Sequence, residues 1–252
     1  MAKKQSLLKS RWLGRKKVEE DAKYTEDSLL FIVRHSILAG LQSKTLDEYI
    51  KEKYPTDKRF SKIKKDWEST KCGVRVSLFK DGDLRGSTGS ITSKNNVYDD
   101  IVEYARQSAF NDERFPTILG KEFGKITFEV FLIENDRIPV SYNDPMELLV
   151  LLEKSKDMGV MVKKDKKTSY FLSDTWEQIP EPGLFMSSLC LSADLPASSW
   201  RGQKRLWPGK RTELRRNLYT GKVVKPEEWG KLEVFHIPCL RIKGQGNTLK
   251  DV

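Results

Sequence analysis

Residues 73–90 read GVRVSLFKDGDLRGSTGS and set the first hairpin of a sheet. The first eight residues alternate apolar and polar side chains, which predicts a half-buried strand with one imperfect face. Asp81-Gly82 favours a two-residue hairpin turn, because a type I′ turn needs positive φ at both central positions. The return strand places Arg85 among two glycines and two hydroxyls, so a ligand can approach its backbone closely.

Two motifs carry a resemblance to a known family. Residues 84–89 read Leu-Arg-Gly-Ser-Thr-Gly, and residues 108–116 read Ser-Ala-Phe-Asn-Asp-Glu-Arg-Phe-Pro. They resemble the Leu-Arg-Gly-Cys-Ile-Gly signature and the Ser-Ala-Phe and Asp-x-Arg-Phe-Pro motif of the AMMECR-type domain family (protein A-like in the AmmeMemoRadiSam system). The resemblance covers residues 25–240 and indicates a divergent member. It implies an α+β fold with a sheet-and-helix main lobe, built from N- and C-terminal parts, and a smaller second lobe.

A candidate ligand cleft lies at the Leu84–Gly89 signature. Glu129 stands in the middle of a predicted central strand, and a carboxylate there needs a partner because burying an unpaired charge is costly. We expect Arg85 to be that partner, either in a structural ion pair or as part of the polar floor of a cleft. Asp112 and Arg114 are expected to support the site by pairing with each other or with the backbone. The predicted cleft residues are Arg85, Gly86, Ser87, Thr88, Gly89 and Glu129.

Ser87 is the main departure from the family signature, which carries cysteine at this position. A thiol is readily activated, whereas an unassisted serine hydroxyl is a much poorer nucleophile. The resemblance therefore favours a binding or accessory module of a protein or RNA modification system, with Memo-type and radical-SAM proteins as implied partners. The alternative is an enzyme, or an enzyme subunit, that modifies RNA or protein, with Arg85 orienting an anionic group and Glu129 acting as acid or base.

The net charge of +10 arises from two basic segments that carry +5 and +8, while the rest of the chain sums to −3. Residues 1–24 form either a solubilising arm, a polyanion-binding arm or an organellar presequence. Residues 201–225 form either an irregular surface loop or a basic insertion that binds RNA through phosphate contacts and aromatic stacking. The nucleic-acid candidates in this insertion are Arg201, Lys204, Arg205, Trp207, Lys210 and Arg211.

Composition and motifs also bear on the cellular compartment, on metal and cofactor sites and on membrane insertion. Three widely spaced cysteines argue against a disulfide framework and favour a reducing compartment, so we expect a cytoplasmic protein, or a nuclear or organellar one in a eukaryote. The cysteines and two histidines lack metal-ligand spacing, so no metal site is predicted. No phosphate-binding glycine loop is present, so no cofactor is predicted, and no apolar run is long enough to span a bilayer.

Local patterns predict the remaining elements. Thr25 is expected to cap a first helix, Asn95-Asn96 a second, and Asp144-Pro145 a third. Residues 158–172 should form a hairpin with a lysine-rich tip, and residues 232–237 a last strand. Residues 241–252 are expected to be a C-terminal tail that follows the domain at 25–240.

Overall fold

The structure is a computed structural model that describes residues 18–201 and 232–245, with side chains from residue 23 onward. The chain divides into two units: Met1–Asn135 with Cys239–Val252, and Asp136–Pro238. Each unit contains helices and one antiparallel four-stranded sheet. The predicted α+β fold, with a main lobe made from both ends of the chain and a second lobe, is therefore confirmed.

The first unit packs helices on one face of its sheet. The helices of the first unit are α1 (Val18–Leu41), α2 (Leu46–Lys53), α3 (Arg59–Glu68), α4 (Val97–Phe110) and the short α5 (Gly120–Phe123). The strands of the first unit are β1 (Gly73–Lys80), β2 (Asp83–Ser90), β3 (Ile126–Ile133) and β8 (Cys239–Gln245). In the sheet these strands follow the order β2-β1-β3-β8, and all neighbours are antiparallel.

Helix α1 starts earlier than the sequence pattern suggests. It begins at Val18, so Thr25 is an interior position and is almost fully buried. The prediction that Thr25 caps the helix is wrong, because the helix continues through the acidic residues before it. The other predicted caps are confirmed: Asn96 accepts a hydrogen bond from the backbone N–H of Asp99 at the start of α4, and Asp144 caps the third predicted helix.

The first core lies between α1, α4 and the inward side of the sheet. Alternate residues of β1 and β3, such as Val76 and Val130, are completely buried there. Phe60 and Trp67 of α3 anchor this charged helix to the same core. Because side chains alternate across a strand, the residues between these core positions lie on the opposite face of the sheet.

The second unit has its own core and its own sheet. The helices of this unit are α6 (Pro145–Glu153), α7 (Thr175–Gln178), α8 (Pro182–Ser192) and a 3-10 turn at Ser199–Arg201. The strands of this unit are β4 (Ile138–Pro139), β5 (Gly159–Lys164), β6 (Lys167–Phe171) and β7 (Glu233–Ile237), and they follow the order β4-β7-β5-β6. The predicted hairpin with the lysine-rich tip is confirmed as β5-β6.

Strand β8 corrects the prediction for the C-terminus. Residues 241–245 were expected to belong to a tail, but they form most of an edge strand that pairs with β3. Leu240 and Ile242 point into the first core, and their burial explains why this short segment is ordered as a strand. The predicted arm at 1–24 lies outside the described residues up to residue 17, and most of the basic insertion at 201–225 also lies outside them. Within the part of the chain that the structure describes, no helix could cross a membrane.

Candidate functional site

The face of the first sheet that points away from its helices carries a row of polar side chains. Ser87 of β2 pairs with Ser77 of β1, Ser77 pairs with Glu129 of β3, and Glu129 pairs with Lys243 of β8. The Ser77 and Ser87 hydroxyls are 2.8 Å apart and hydrogen-bonded. The strand register thus places Ser87 of the signature and Glu129 in one row across the sheet.

Three cationic side chains converge on Glu129, whose side chain is only 2% exposed. The Nε and a terminal guanidinium nitrogen of Arg241 lie 2.8 and 2.7 Å from Oε2, and the Nε donates a hydrogen bond to it. A guanidinium nitrogen of Arg75 lies 3.5 Å from Oε1, and the Lys243 ammonium lies 3.6 Å from Oε2. These four side chains, Arg75, Glu129, Arg241 and Lys243, are called the cationic cluster below.

Phe131 supports the two arginines of the cationic cluster. It pairs with Arg75 on one side and with Arg241 on the other. The guanidinium carbons of Arg75 and Arg241 lie 4.3 and 5.6 Å from the centre of its ring. Cations within about 6 Å of an aromatic face are attracted to it. The ring therefore helps to hold both guanidinium groups beside Glu129.

Arg85 does not pair with Glu129, so the expected ion pair is wrong. Its guanidinium donates hydrogen bonds to the carbonyl oxygens of Pro116 and Thr117 and to Oε1 of Glu122 at 2.9 Å. The Arg85 side chain is 13% exposed, and Glu122 also accepts from Lys80 and from the backbone N–H of Leu119. Arg85 thus fastens strand β2 to the segment that follows α4.

Asp112 and Arg114 hold the backbone of Ser87. Asp112 accepts a hydrogen bond from the Ser87 N–H at 2.8 Å, and Arg114 donates to the Ser87 carbonyl at 3.0 Å. The two side chains also form an ion pair at 2.7 Å, as the sequence suggested. Together these bonds pair the backbone N–H and C=O of Ser87, which lies on an edge strand of the sheet. The two signature motifs therefore bind directly to each other.

Three other residues of the signature, Gly86, Thr88 and Gly89, do not share the polar row with Ser87. Gly86 is buried against α4, and a methyl group there would overlap the carbonyl oxygen of Ser108. Thr88 pairs with the core residue Val76, so it lies on the opposite face from Ser87 and does not share the polar row. Gly89 allows close approach of β2 to β1, since an added methyl would lie 2.5 Å from the Val74 carbonyl oxygen.

The two carboxylates that brace the signature have lowered pKa values. The Arg114 side chain holds the pKa of Asp112 far below its usual range, with further help from the Ser87 and Arg114 backbone N–H groups. Burial raises the pKa of Glu122, but hydrogen bonds from Leu119, Lys80 and Arg85 outweigh it and bring the value to about 2. Both groups are therefore stabilised in their charged form.

We expect the free energy of unfolding to fall as the pH drops from about 4.5 toward 2. A depressed native pKa stabilises the fold above the unfolded pKa, and that stability is lost as the carboxylate becomes protonated. Urea unfolding at pH 5, 4 and 3 would measure the slope. Glu122→Gln should show a shallower slope than the wild type, whereas an unchanged slope would mean that Glu122 does not contribute to acid sensitivity.

The nucleic-acid candidates remain predictions. Lys204, Arg205, Trp207, Lys210 and Arg211 lie outside the described residues. Arg201 is exposed, and its guanidinium carbon lies 5.2 Å from the centre of the Trp200 ring. Within residues 18–201 and 232–245, no three His, Cys, Asp or Glu side chains come together as a metal site.

The sequence interpretation missed Arg75, Arg241 and Lys243. The signal was present locally: Arg241 and Lys243 alternate with Leu240 and Ile242, which is the period of a half-buried strand. Once residues 239–243 are assigned to a strand, both cations fall on its outward face. Their convergence on Glu129 still required the register of β8 against β3.

Comparisons with known proteins agree with this architecture. The AMMECR1 family model matches residues 34–207. Protein Mbar_A1807 from Methanosarcina barkeri is 27% identical over 162 residues, which cover 64% of this chain and 79% of that protein. Protein MK0488 from Methanopyrus kandleri is 26% identical over 196 residues, which cover 75% of this chain and 84% of that protein.

A solved structure shows the same fold. The uncharacterized protein PH0010 from Pyrococcus horikoshii superposes with a TM-score of 0.59 and 17% identity, covering 86% of this chain and 90% of that one. This likeness shows that the chain has the same fold as that structure. The family match extends over more than half of the chain, and the chain belongs to the AMMECR1 family.

Proposed function

We propose that this protein is a binding or accessory module of a protein or RNA modification system, which holds an anionic group at the cationic cluster without converting it. The observation that carries the proposal is the convergence of Arg75, Arg241 and Lys243 on one face of the sheet, next to the Ser77–Ser87 hydroxyl pair. Three cations around one carboxylate leave an excess of positive charge, which raises the local concentration of anions and steers charged partners.

The contacts of Ser87 support binding rather than covalent catalysis. Its hydroxyl is hydrogen-bonded to another hydroxyl, that of Ser77, and the neighbouring carboxylate of Asp112 accepts from its backbone N–H. A serine hydroxyl needs an adjacent base to become a nucleophile. Among the described residues, the groups around Ser87 therefore position the strand and do not activate the hydroxyl.

The cellular setting belongs to the same proposal. The Memo-type and radical-SAM partners that the family resemblance implies would supply the chemistry, and the ligand group would come from one of them or from their substrate. Cys72 and Cys190 are buried thiols whose pKa values are raised by burial to about 12 and about 11. Inert buried thiols suit a reducing compartment, which supports the cytoplasmic location that this proposal includes.

Titration of the full-length protein with small multivalent anions tests the proposal. At a low salt concentration of about 20 mM, where screening is weak, we expect sulfate or citrate to bind with measurable heat in calorimetry. Lys243→Gln should weaken binding about fivefold, because one charge-assisted contact is lost. Conversion of the bound anion is not expected.

Lys51→Gln is the matched control, since Lys51 is an exposed lysine of helix α2 in the same unit and is not part of the cationic cluster. It should bind anions as the wild type does. If no anion binds, or if both lysine variants weaken binding equally, the cationic cluster is not a binding site and the proposal fails.

A further inference from the structure

The three cations of the cluster make unequal contacts with Glu129. Arg241 is held by two short contacts to the same oxygen, Oε2, at 2.7 and 2.8 Å. The Arg75 and Lys243 contacts are 3.5 and 3.6 Å long, at or beyond the limit of a hydrogen bond. Glu129 therefore engages Arg241 tightly and the other two cations only through longer-range attraction.

The two carboxylate oxygens of Glu129 also differ in their contacts, since the short contacts to Arg241 all involve Oε2. Oε1 is buried, and among the described residues it accepts no hydrogen bond. The carboxylate lies between cations on neighbouring strands, and both of its short contacts go to Arg241, while Arg75 and Lys243 lie 3.5 and 3.6 Å away. A larger anion with more acceptor oxygens suits the same cations better.

We infer that the cationic cluster takes a phosphate-type dianion, either free phosphate or a phosphate monoester, and that Glu129 is an internal counter-anion that competes with this ligand. The inference rests on the proposed function and adds to it the chemical class of the ligand and the basis of its selectivity. Arg241 stays with Glu129, while Arg75 and Lys243 move onto the ligand oxygens.

Competition from Glu129 explains why a phosphate is favoured over a carboxylate. A tethered group acts at a high effective concentration, so a free carboxylate with a single charge gains little by replacing it. A phosphate monoester carries nearly two charges and three strong acceptor oxygens, and it pairs well with guanidinium groups. It can therefore recruit Arg75 and Lys243 without displacing Glu129 from Arg241.

The cluster is open to solvent on the side of its cations. The side chain of Lys243 is 53% exposed, and those of Arg75 and Arg241 are 23% and 20% exposed, whereas Glu129 is buried at 2%. The Lys243 ammonium is thus the most exposed charge of the cluster. The buried carboxylate keeps Arg241 in place before the ligand arrives.

The test compares four anions on the full-length protein by calorimetry at about pH 8, where phosphate is a dianion. The probes are inorganic phosphate, glycerol 3-phosphate, sulfate and acetate. The wild type should bind the first three at least about tenfold more tightly than acetate. Glu129→Gln removes the competing charge and should tighten phosphate binding about tenfold, which corresponds to about 1.4 kcal/mol.

Glu129→Asp is the matched control, because it keeps the charge and should not tighten binding. Thermal unfolding of each variant shows whether it is folded, and the wild-type ranking against acetate tests the inference even when Glu129→Gln does not fold. Tighter binding of glycerol 3-phosphate than of phosphate would assign the site to a monoester, and the reverse ranking would assign it to the free ion.

The two proposals fail in different ways. If phosphate and acetate bind the wild type equally, or a folded Glu129→Gln binds phosphate no better, the inference about the ligand is overturned while anion binding stands. If no probe binds the wild type or Glu129→Gln, the proposed function falls as well.

Discussion

Gly86→Ala should destabilise the protein by about 3 kcal/mol, or prevent folding, because the added methyl group has no space. It would overlap the Ser108 carbonyl oxygen, which belongs to the backbone of α4 and cannot move aside as a flexible side chain would. Ser108 is itself held by its hydroxyl, which donates to the Val76 carbonyl of β1 at 2.9 Å. Chemical denaturation followed by circular dichroism measures the loss.

Gly120→Ala is the control for this substitution. Gly120 starts the short helix α5, no atom lies within 4 Å of the added methyl group, and its φ is not positive. The change should leave the free energy of unfolding the same or raise it by about 0.5 kcal/mol. If Gly86→Ala were as stable as Gly120→Ala, close packing of β2 against α4 would not be the reason for glycine in the signature.

Arg85→Ala should lower the free energy of unfolding by about 2 kcal/mol or more and leave anion binding unchanged. The substitution removes the donor to two backbone carbonyls, Pro116 and Thr117, and one of the ion pairs of Glu122, whose side chain is 12% exposed. Denaturant unfolding gives the stability, and calorimetry with sulfate gives the binding.

Lys243→Ala is expected to do the reverse. Its side chain is half exposed, so stability should change by less than about 0.5 kcal/mol, while anion binding weakens about fivefold. Together, Arg85→Ala and Lys243→Ala separate the structural role of the signature from the anion-binding role of the cationic cluster. Weaker anion binding in a folded Arg85→Ala would return Arg85 to the ligand site and contradict the structural role assigned to it.

Much of the fold follows from short-range patterns. The alternation of residues 73–80 and the Asp81-Gly82 turn predict β1 and β2, and both central positions of that turn have positive φ. Capping residues predict the starts of α4 and α6. These features depend on neighbours within a few positions, which is why a single sequence reveals them.

The partner of Glu129 depends on residues that are distant in the chain. Arg241 lies 112 residues after Glu129, and it reaches the carboxylate only because β8 returns to pair with β3. Arg85, the partner expected for Glu129, is nearer to it in sequence, but β1 lies between their strands and Arg85 is on the edge strand β2. There the segment after α4 offers two backbone carbonyls and the Glu122 carboxylate to its guanidinium.

The sequence by itself predicted the signature hairpin and the need of Glu129 for a cationic partner, and its family motifs implied the α+β class. It also predicted that Asp112 and Arg114 pair with each other or with the backbone, and the structure shows both kinds of contact. Only the tertiary structure decided which cations surround Glu129, which face Thr88 occupies and what Arg85 binds. The physical reason is that strand register controls which side chains meet across a sheet, and a shift of one residue moves every side chain to the other face. Register depends on the packing of whole strands and is not visible in any single stretch of the chain.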